Sequence, residues 1–447
     1  MSYTGADSVV LLNQALNADQ LNIPNQNIPH LVAWNLNSNS LQYVNTLNGN
    51  IDAELFSYIN SYRNYVVVDG TYGDSVVAAT DPYNSAYAFG SIEDAIANTQ
   101  DGDLIVVNPG TYQEKNIINI DPNTGSRGFY FYPNANVFCD PNNNVIFNID
   151  SVICNIYGYG NFNTTTIGGA CFTYADSNKT SQLNCNSIKC EAEFAVAFNS
   201  NSSNISANIK IIDCSFNLAA IFIADDSTII LNAIETRYSS VAYSVQLDCN
   251  VTINVPTTIC YDGVDVGGYP YISACVLVTD DDSNVVLNGN ISSAGQTFDP
   301  INIVGALTIL GGILNSSIVM TGGTSFIRNT ASFLNKGSSS CTIRINASLL
   351  NSCVNGRIGY IDNTTYLAGR FEADFGIVLG NATAIATIIM EYGVLKTLVA
   401  NACFDGTPNP FRLNYAVYSG AAVSAPVNST DILGVGVSNL IVNAGVV

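Results

Sequence analysis

Short apolar triplets, each followed by an asparagine, recur through the middle of the chain as SQLNCNSI, NISANIKI, TIILNAI, NVTINV and NVVLNGNI. Aligned on that residue, they place Asn184, Asn208, Asn232, Asn254 and Asn288 in one column, at steps of 24, 24, 22 and 34 residues. Cys190 and Cys214, each six residues after its asparagine, form a second column in step with the first. The β-branched runs predict strands, and one unit of this length cannot bury its own apolar face, so the copies must stack. The pattern predicts a right-handed parallel β-helix. An asparagine at one corner of successive rungs suits it: a left-handed corner is cheapest for Gly and Asn, and stacked amides can hydrogen-bond along the axis. The long step implies an inserted loop of about ten residues within 256–280. Asn148 follows an apolar triplet in the same way, and Gly311, 23 residues past Asn288, is the expected next corner.

Patterning changes on both sides of this ladder. In residues 1–64, LVAWNLNSNSLQYVNTL predicts two short strands around Asn37-Ser38-Asn39. IDAELFSYINSY has helical spacing, with Ile51, Leu55, Ile59 and Tyr62 on one face. This stretch is expected to be an attachment or oligomerisation module, with Trp34 as its core anchor. Residues 65–375 are expected to form the helix-capped solenoid. Residues 376–447, nearly uncharged and β-branched, are expected to cover its final edge as a β cap, within one chain or between subunits.

The segment YVVVDGTYGDSVVAATDPYNSAYAFGSIEDAIANTQDGDLIVVNPGTYQEKNI carries the most specific motif. Ser91 is expected to cap a short amphipathic helix with Glu93 and Asp94 in its first turn and Ile92 and Ile96 facing inward. A strand follows over Leu104–Val107, then PGTY and Glu114. This order resembles the entry to the pectin lyase-like superfamily of right-handed β-helices, in which a short helix covers the open end of the first rung. That resemblance implies fold more than function, because the superfamily holds lyases, esterases, hydrolases and binding fibres.

Composition narrows the functional classes. A net charge of −21 argues against nucleic acid or an anionic membrane surface as partner, and no apolar run is long enough to cross a bilayer. Twelve cysteines outside any CxxC motif, without a recognisable secretory leader, read as reduced buried thiols. His30, the only histidine, leaves no zinc cluster and no Ser-His-Asp arrangement; no cofactor motif is present.

One constellation suggests chemistry. Asp226, Asp248 and Asp282 stand two positions before Thr228, Asn250 and Asn284 in three successive units, with Asp225, Asp280 and Asp281 beside them. Stacked in register they would lie about 5 Å apart. They are then solvated turn residues, a structural calcium or carbohydrate-contact site, or catalytic carboxylates at the separation of a retaining glycosidase. Tyr238, Tyr243 and Tyr261, with Asp225 and Asp281, would supply stacking and hydrogen bonds to a sugar. The polygalacturonase-like GHG and RIK motifs are missing, and Arg237 is the nearest basic side chain for lyase-like chemistry. The short module before the solenoid, the missing leader, the reduced-looking cysteines, the low charge and a similarity to β-helical viral fibres together imply a virion surface, tail-fibre or tailspike-like structural protein. It would be a homotrimer made without a signal peptide, joined to other virion proteins through residues 1–64 and presenting the β-helix to a host or glycan. A polysaccharide hydrolase or lyase is the alternative, and a cell-surface adhesin the second.

Overall fold

The computed structural model describes residue 55 and residues 58–84, 86–140, 145–164, 170–175, 179–190, 194–199, 204–214, 219–238, 241–260, 274–293, 305–379 and 387–399. It also describes strands at 30–35, 40–45, 404–406, 410–413, 417–419 and 439–442. The fold is a parallel β-solenoid, nearly all β in its described residues, with short helices that include Ser75–Ala78 and Ile92–Ala97. Each lap presents three strips of sheet. In the early laps two are separate strands, such as Arg127–Phe131 with Ala135–Cys139 and Cys154–Gly158 with Asn161–Thr164. From Thr180–Cys190 onward the two fuse into one bent strand of about 11 residues. The third strip is built from short strands running from Ile118–Ile120 to Phe404–Gly406.

Register confirms the period. Thr180, Asn204, Thr228, Asn250, Asn284, Ser317, Thr342, Thr364 and Thr387 are successive partners across the laps. The 24-, 24-, 22- and 34-residue steps are therefore single turns of the coil. The expected insertion falls between Cys260 and Ala274, outside the described residues.

Asn184, Asn208, Asn232, Asn254 and Asn288 pair in one row. Each amide Nδ2 donates to the Oδ1 of the previous lap, at 2.6 Å from Asn208 and 2.8 Å from Asn232, Asn254 and Asn288. Their backbone differs from the expectation. They are mid-strand residues pointing outward, absent from the left-handed positions of the chain. The amide ladder, rather than a corner conformation, accounts for the column. Asn148 belongs to a separate ladder on the short-strand strip, donating to Asn119 at 3.0 Å and accepting from Thr173 at 2.7 Å. Gly311 sits in a turn, and Thr321 is the residue stacked on Asn288; the row had been misplaced because this lap too is long.

At the entry, Tyr65–Val68 pairs in parallel with Asp103–Val107. Ser91 caps Ile92–Ala97 by accepting from Asp94 N at 3.1 Å, and Ile92 is fully buried. Glu114 reaches across from the next strand, its two oxygens accepting from Ile92 N (3.1 Å) and Glu93 N (3.2 Å). This carboxylate ties the covering helix to the first lap through its unpaired N-terminal amides. Burial, helped by the charges of Glu93 and Asp94, outweighs the pull of the two amides and leaves the Glu114 carboxyl raised to about 7.

Before the solenoid, Leu55, Tyr58, Ile59 and Tyr62 pack against the outer face of the first strands. There Tyr58 stacks on Tyr157 at 3.9 Å between ring centroids. Gly128 makes room for Tyr62, whose ring a Cβ there would meet at 2.3 Å. The predicted hairpin pairs His30–Asn35 with Ser40–Asn45, Trp34 opposite Leu41. Ile51 and the Trp34 side chain lie outside the described residues.

At the far end the solenoid continues past 375. Thr387–Thr397 is one strand in register with Thr364–Ala373. Pro410–Leu413 and Asn439–Val442 extend the parallel ladder. The part expected to be a separate cap thus supplies further laps.

The interior is one continuous apolar column. Phe129, Phe131, Phe147, Phe162 and Phe172 stack through the first laps, followed by Ile, Val, Leu and Cys. Cys190 and Cys214 are paired, buried and unbridged, like the other described cysteines, as the composition implied.

Candidate functional site: an acidic edge

The acids stack as their spacing implied. Thr228, Asn250 and Asn284 are consecutive partners, so Asp226, Asp248 and Asp282 occupy one turn column. Backbone bonds link the turns: Asp226 N donates to Leu247 O at 3.1 Å, Asp248 N to Asp281 O at 3.1 Å and Asp282 N to Leu314 O at 2.9 Å. Each of the three has a left-handed backbone, with φ 55°, and Asp225 has φ 56°. Asp tolerates this conformation because its short polar side chain bonds locally. Adjacent laps lie about 4.8 Å apart, and the three carboxylates are exposed.

Their mutual charge is felt. The Asp248 carboxyl is pushed above the usual carboxylate range by local desolvation and by the charges of Asp226, Asp282, Asp281 and Asp280. Asp281 does not share the exposed row. It is half-buried, and its Oδ1 accepts from Leu314 N at 2.7 Å, which bridges two laps. Asp225 is likewise half-buried. Among the described residues, no three His, Cys, Asp or Glu side chains are placed to hold a metal ion.

Two of the proposed sugar-binding tyrosines are not at this surface. Tyr238 and Tyr243 are fully buried, and burial pushes both hydroxyls up. Tyr238 stacks in the Cys214–Cys260 column, while the Tyr243 hydroxyl meets Thr258 Oγ1 at 3.3 Å. Their rings fill the core and offer no face to a ligand. Tyr261 lies outside the described residues. Arg237 is not brought to the acids either; it closes the other end of Thr228–Tyr238 and pairs with Glu235 and with Asp213 at 3.9 Å.

Directly behind the acids runs a row that the motif reading missed: Ser227, Cys249, Ser283, Ser316 and Cys341, all fully buried. Cys249 N donates to Ser283 Oγ (3.4 Å), Ser283 N to Ser316 Oγ (3.1 Å) and Ser316 N to Cys341 Sγ (3.4 Å). Aligning the residue after each turn Asp would have shown it. This row satisfies turn amides that the parallel ladder leaves over, and so fixes the height at which each acid emerges.

Fold and edge together define a parallel β-solenoid with a stacked carboxylate row on one lateral corner. No family model, curated protein or solved structure matches the chain.

Proposed function

We propose that this chain is a structural rod of a virion surface or tail, a fibre- or tailspike-like member of the pectin lyase-like β-helices. Its lateral face presents a host- or glycan-binding surface. The carrying observation is the parallel ladder from Tyr65–Val68 to Asn439–Val442, covered at its start by Ile92–Ala97. Such a rod holds surface side chains in fixed columns, which suits repeated contacts to an extended partner. In this reading the chain acts as a homotrimer, and residues 1–64 join it to other virion proteins. Mass spectrometry and immunogold labelling of purified particles test it: the chain is expected at the particle surface or tail, and its absence from particles overturns the reading. Light scattering of the purified chain reads the subunit number.

One observation favours a second reading, a polysaccharide-degrading enzyme. Asp226, Asp248 and Asp282 stand one lap apart on a single turn column, a separation of the order that paired carboxylates use to cleave a glycosidic bond. Reducing ends released from acidic or neutral polysaccharides, and lost in Asp248→Asn, would favour it over the binding rod.

A further inference from the structure

From Thr180–Cys190 to Ser317–Ile327 the first halves of the long strands carry three outward columns over six laps. One starts at Thr180, one is the amide row from Asn184 to Thr321, and between them run Gln182, Ser206, Ile230, Thr252, Val286 and Val319. No side chain in these columns is charged. Ile230 is 46% exposed, and Thr252, Val286 and Val319 are half-buried. Each donating amide uses one N–H along its row and keeps a second for a partner outside it. The remaining faces differ. The second halves of the same strands carry Lys189, Asp213, Glu235 and Arg237, the last three ion-paired. Along the short-strand strip, Ala219, Val241, Ala274 and Leu277 are already buried in a cluster of their own.

At the start of the rod the chain covers this same face itself, with Leu55, Tyr58, Ile59 and Tyr62 lying on Leu104, Val106, Tyr130 and Tyr157. Ile156 pairs with Leu183, so the column Val106, Tyr130, Tyr157 passes directly into Asn184. Among the described residues this cover ends in the lap of Tyr157, and the uncharged columns begin in the next. Charge then decides what fits there. Copies of a chain of net charge −21 repel one another wherever acids meet, and this face brings none together. A cationic partner would be drawn to the acidic corner instead. Aliphatic and amide ladders also pack against their own kind across two sheets. We propose that the face from Thr180 to Thr321 docks a second copy of this chain. This rests on the homotrimer reading above and deepens it by naming the face through which copies meet. Six laps of five residues give a flat footprint of about 450 Å² per copy, enough for a specific but reversible contact.

Sedimentation velocity of the full chain over a concentration series tests it. The wild type is expected to associate reversibly, and more tightly as salt screens its net charge. Ile230→Glu sets a carboxylate against the facing copy and should weaken association about tenfold or more. Thr252→Glu, which removes little apolar surface, should do the same. Phe326→Glu puts an equal charge on the second half of Ser317–Ile327, where the side chain is 60% exposed, and should leave association unchanged. Circular dichroism reads the fold of each variant; if Ile230→Glu does not fold, Thr252→Glu decides alone. A wild type that stays single at every concentration overturns the proposal and the homotrimer reading together. Association kept in either folded face variant, lost in a folded Phe326→Glu, or weakened by salt overturns the face and leaves the homotrimer standing.

Discussion

Ser316→Ala tests the buried row behind the acids most directly. Ser316 Oγ lies in the dry interior, accepts from Ser283 N at 3.1 Å, and lies 3.1 Å from both Asp280 O and Leu314 O, to which it can donate. Removing it strands the Ser283 N–H where water cannot replace the oxygen, at a cost of about 1 to 3 kcal/mol. The row supplies its own control, because Cys341 one lap on accepts from Ser316 N at 3.4 Å through sulfur. Ser316→Cys should therefore cost about 1 kcal/mol or less, since a thiol at this position already works in the same geometry. Solenoid stability is close to a sum of nearest-neighbour terms, so the loss should be local. Hydrogen exchange read residue by residue is the suitable assay. The Ser283 amide should exchange roughly 5- to 150-fold faster in Ser316→Ala, by the conversion of 1.4 kcal/mol per tenfold. Amides of Asp103–Val107, many laps away, should not change. Equal protection of Ser283 in the alanine and cysteine variants would refute the role assigned to the row.

Glu114 gives a pH signature. Its carboxyl is raised from 4.5 to about 7 in the folded chain, so between those values the unfolded chain ionises first. Stability then falls as pH rises through that window and is flat above it. Relative to Glu114→Gln, wild-type stability in urea titrations should drop by about 3 kcal/mol from pH 4.5 to 7; parallel curves would contradict it. Asp248 should titrate above an ordinary aspartate by carboxyl NMR and return toward it in Asp226→Asn or in high salt. Asn232 both donates to Asn208 and accepts from Asn254. Asn232→Ala should cost about 1 to 2 kcal/mol, and Asn232→Asp more, because it sets an acceptor against Asn208 Oδ1; denaturant midpoints in the reverse order would count against the ladder. The described thiols are all buried, so native alkylation should leave them intact until urea is added, and rapid labelling of Cys190 or Cys214 would show an open core.

What the sequence made legible was what repeats with one residue type. The asparagine row stood out because its amides face water and bond only to each other, so any other residue breaks the chain of bonds. The row behind the acids was hidden because a thiol and a hydroxyl alternate in it while doing one task. Tyr238 shows a subtler failure. It lies six residues after Asn232, as Cys190 lies after Asn184, so the second column already placed it inside. Reading it as a surface ring applied residue type where strand parity decides. The solenoid beyond 375 was missed because its column loses asparagine: Ala368 and Tyr392 stand where the amides had been. The Glu114 contact with the covering helix does not repeat along the coil, and so leaves no periodic trace.

The acidic row shows where backbone explanations end. The left-handed turn accounts for a small polar residue at 226, 248 and 282, but not for its charge. Asn315, in the next lap, holds the same conformation at φ 51° without a carboxylate. Asparagine would serve the turn at all four heights and would remove the neighbouring charges that, together with local desolvation, raise the Asp248 carboxyl. Three stacked acids are therefore more than the fold requires, and their excess charge is the feature a ligand or reaction has to explain. Replacing all three with asparagine should leave the fold intact and make it slightly more stable at neutral pH, most clearly at low salt. A marked loss of stability would mean that the carboxylates serve the rod itself, and the edge would then cease to be a candidate site.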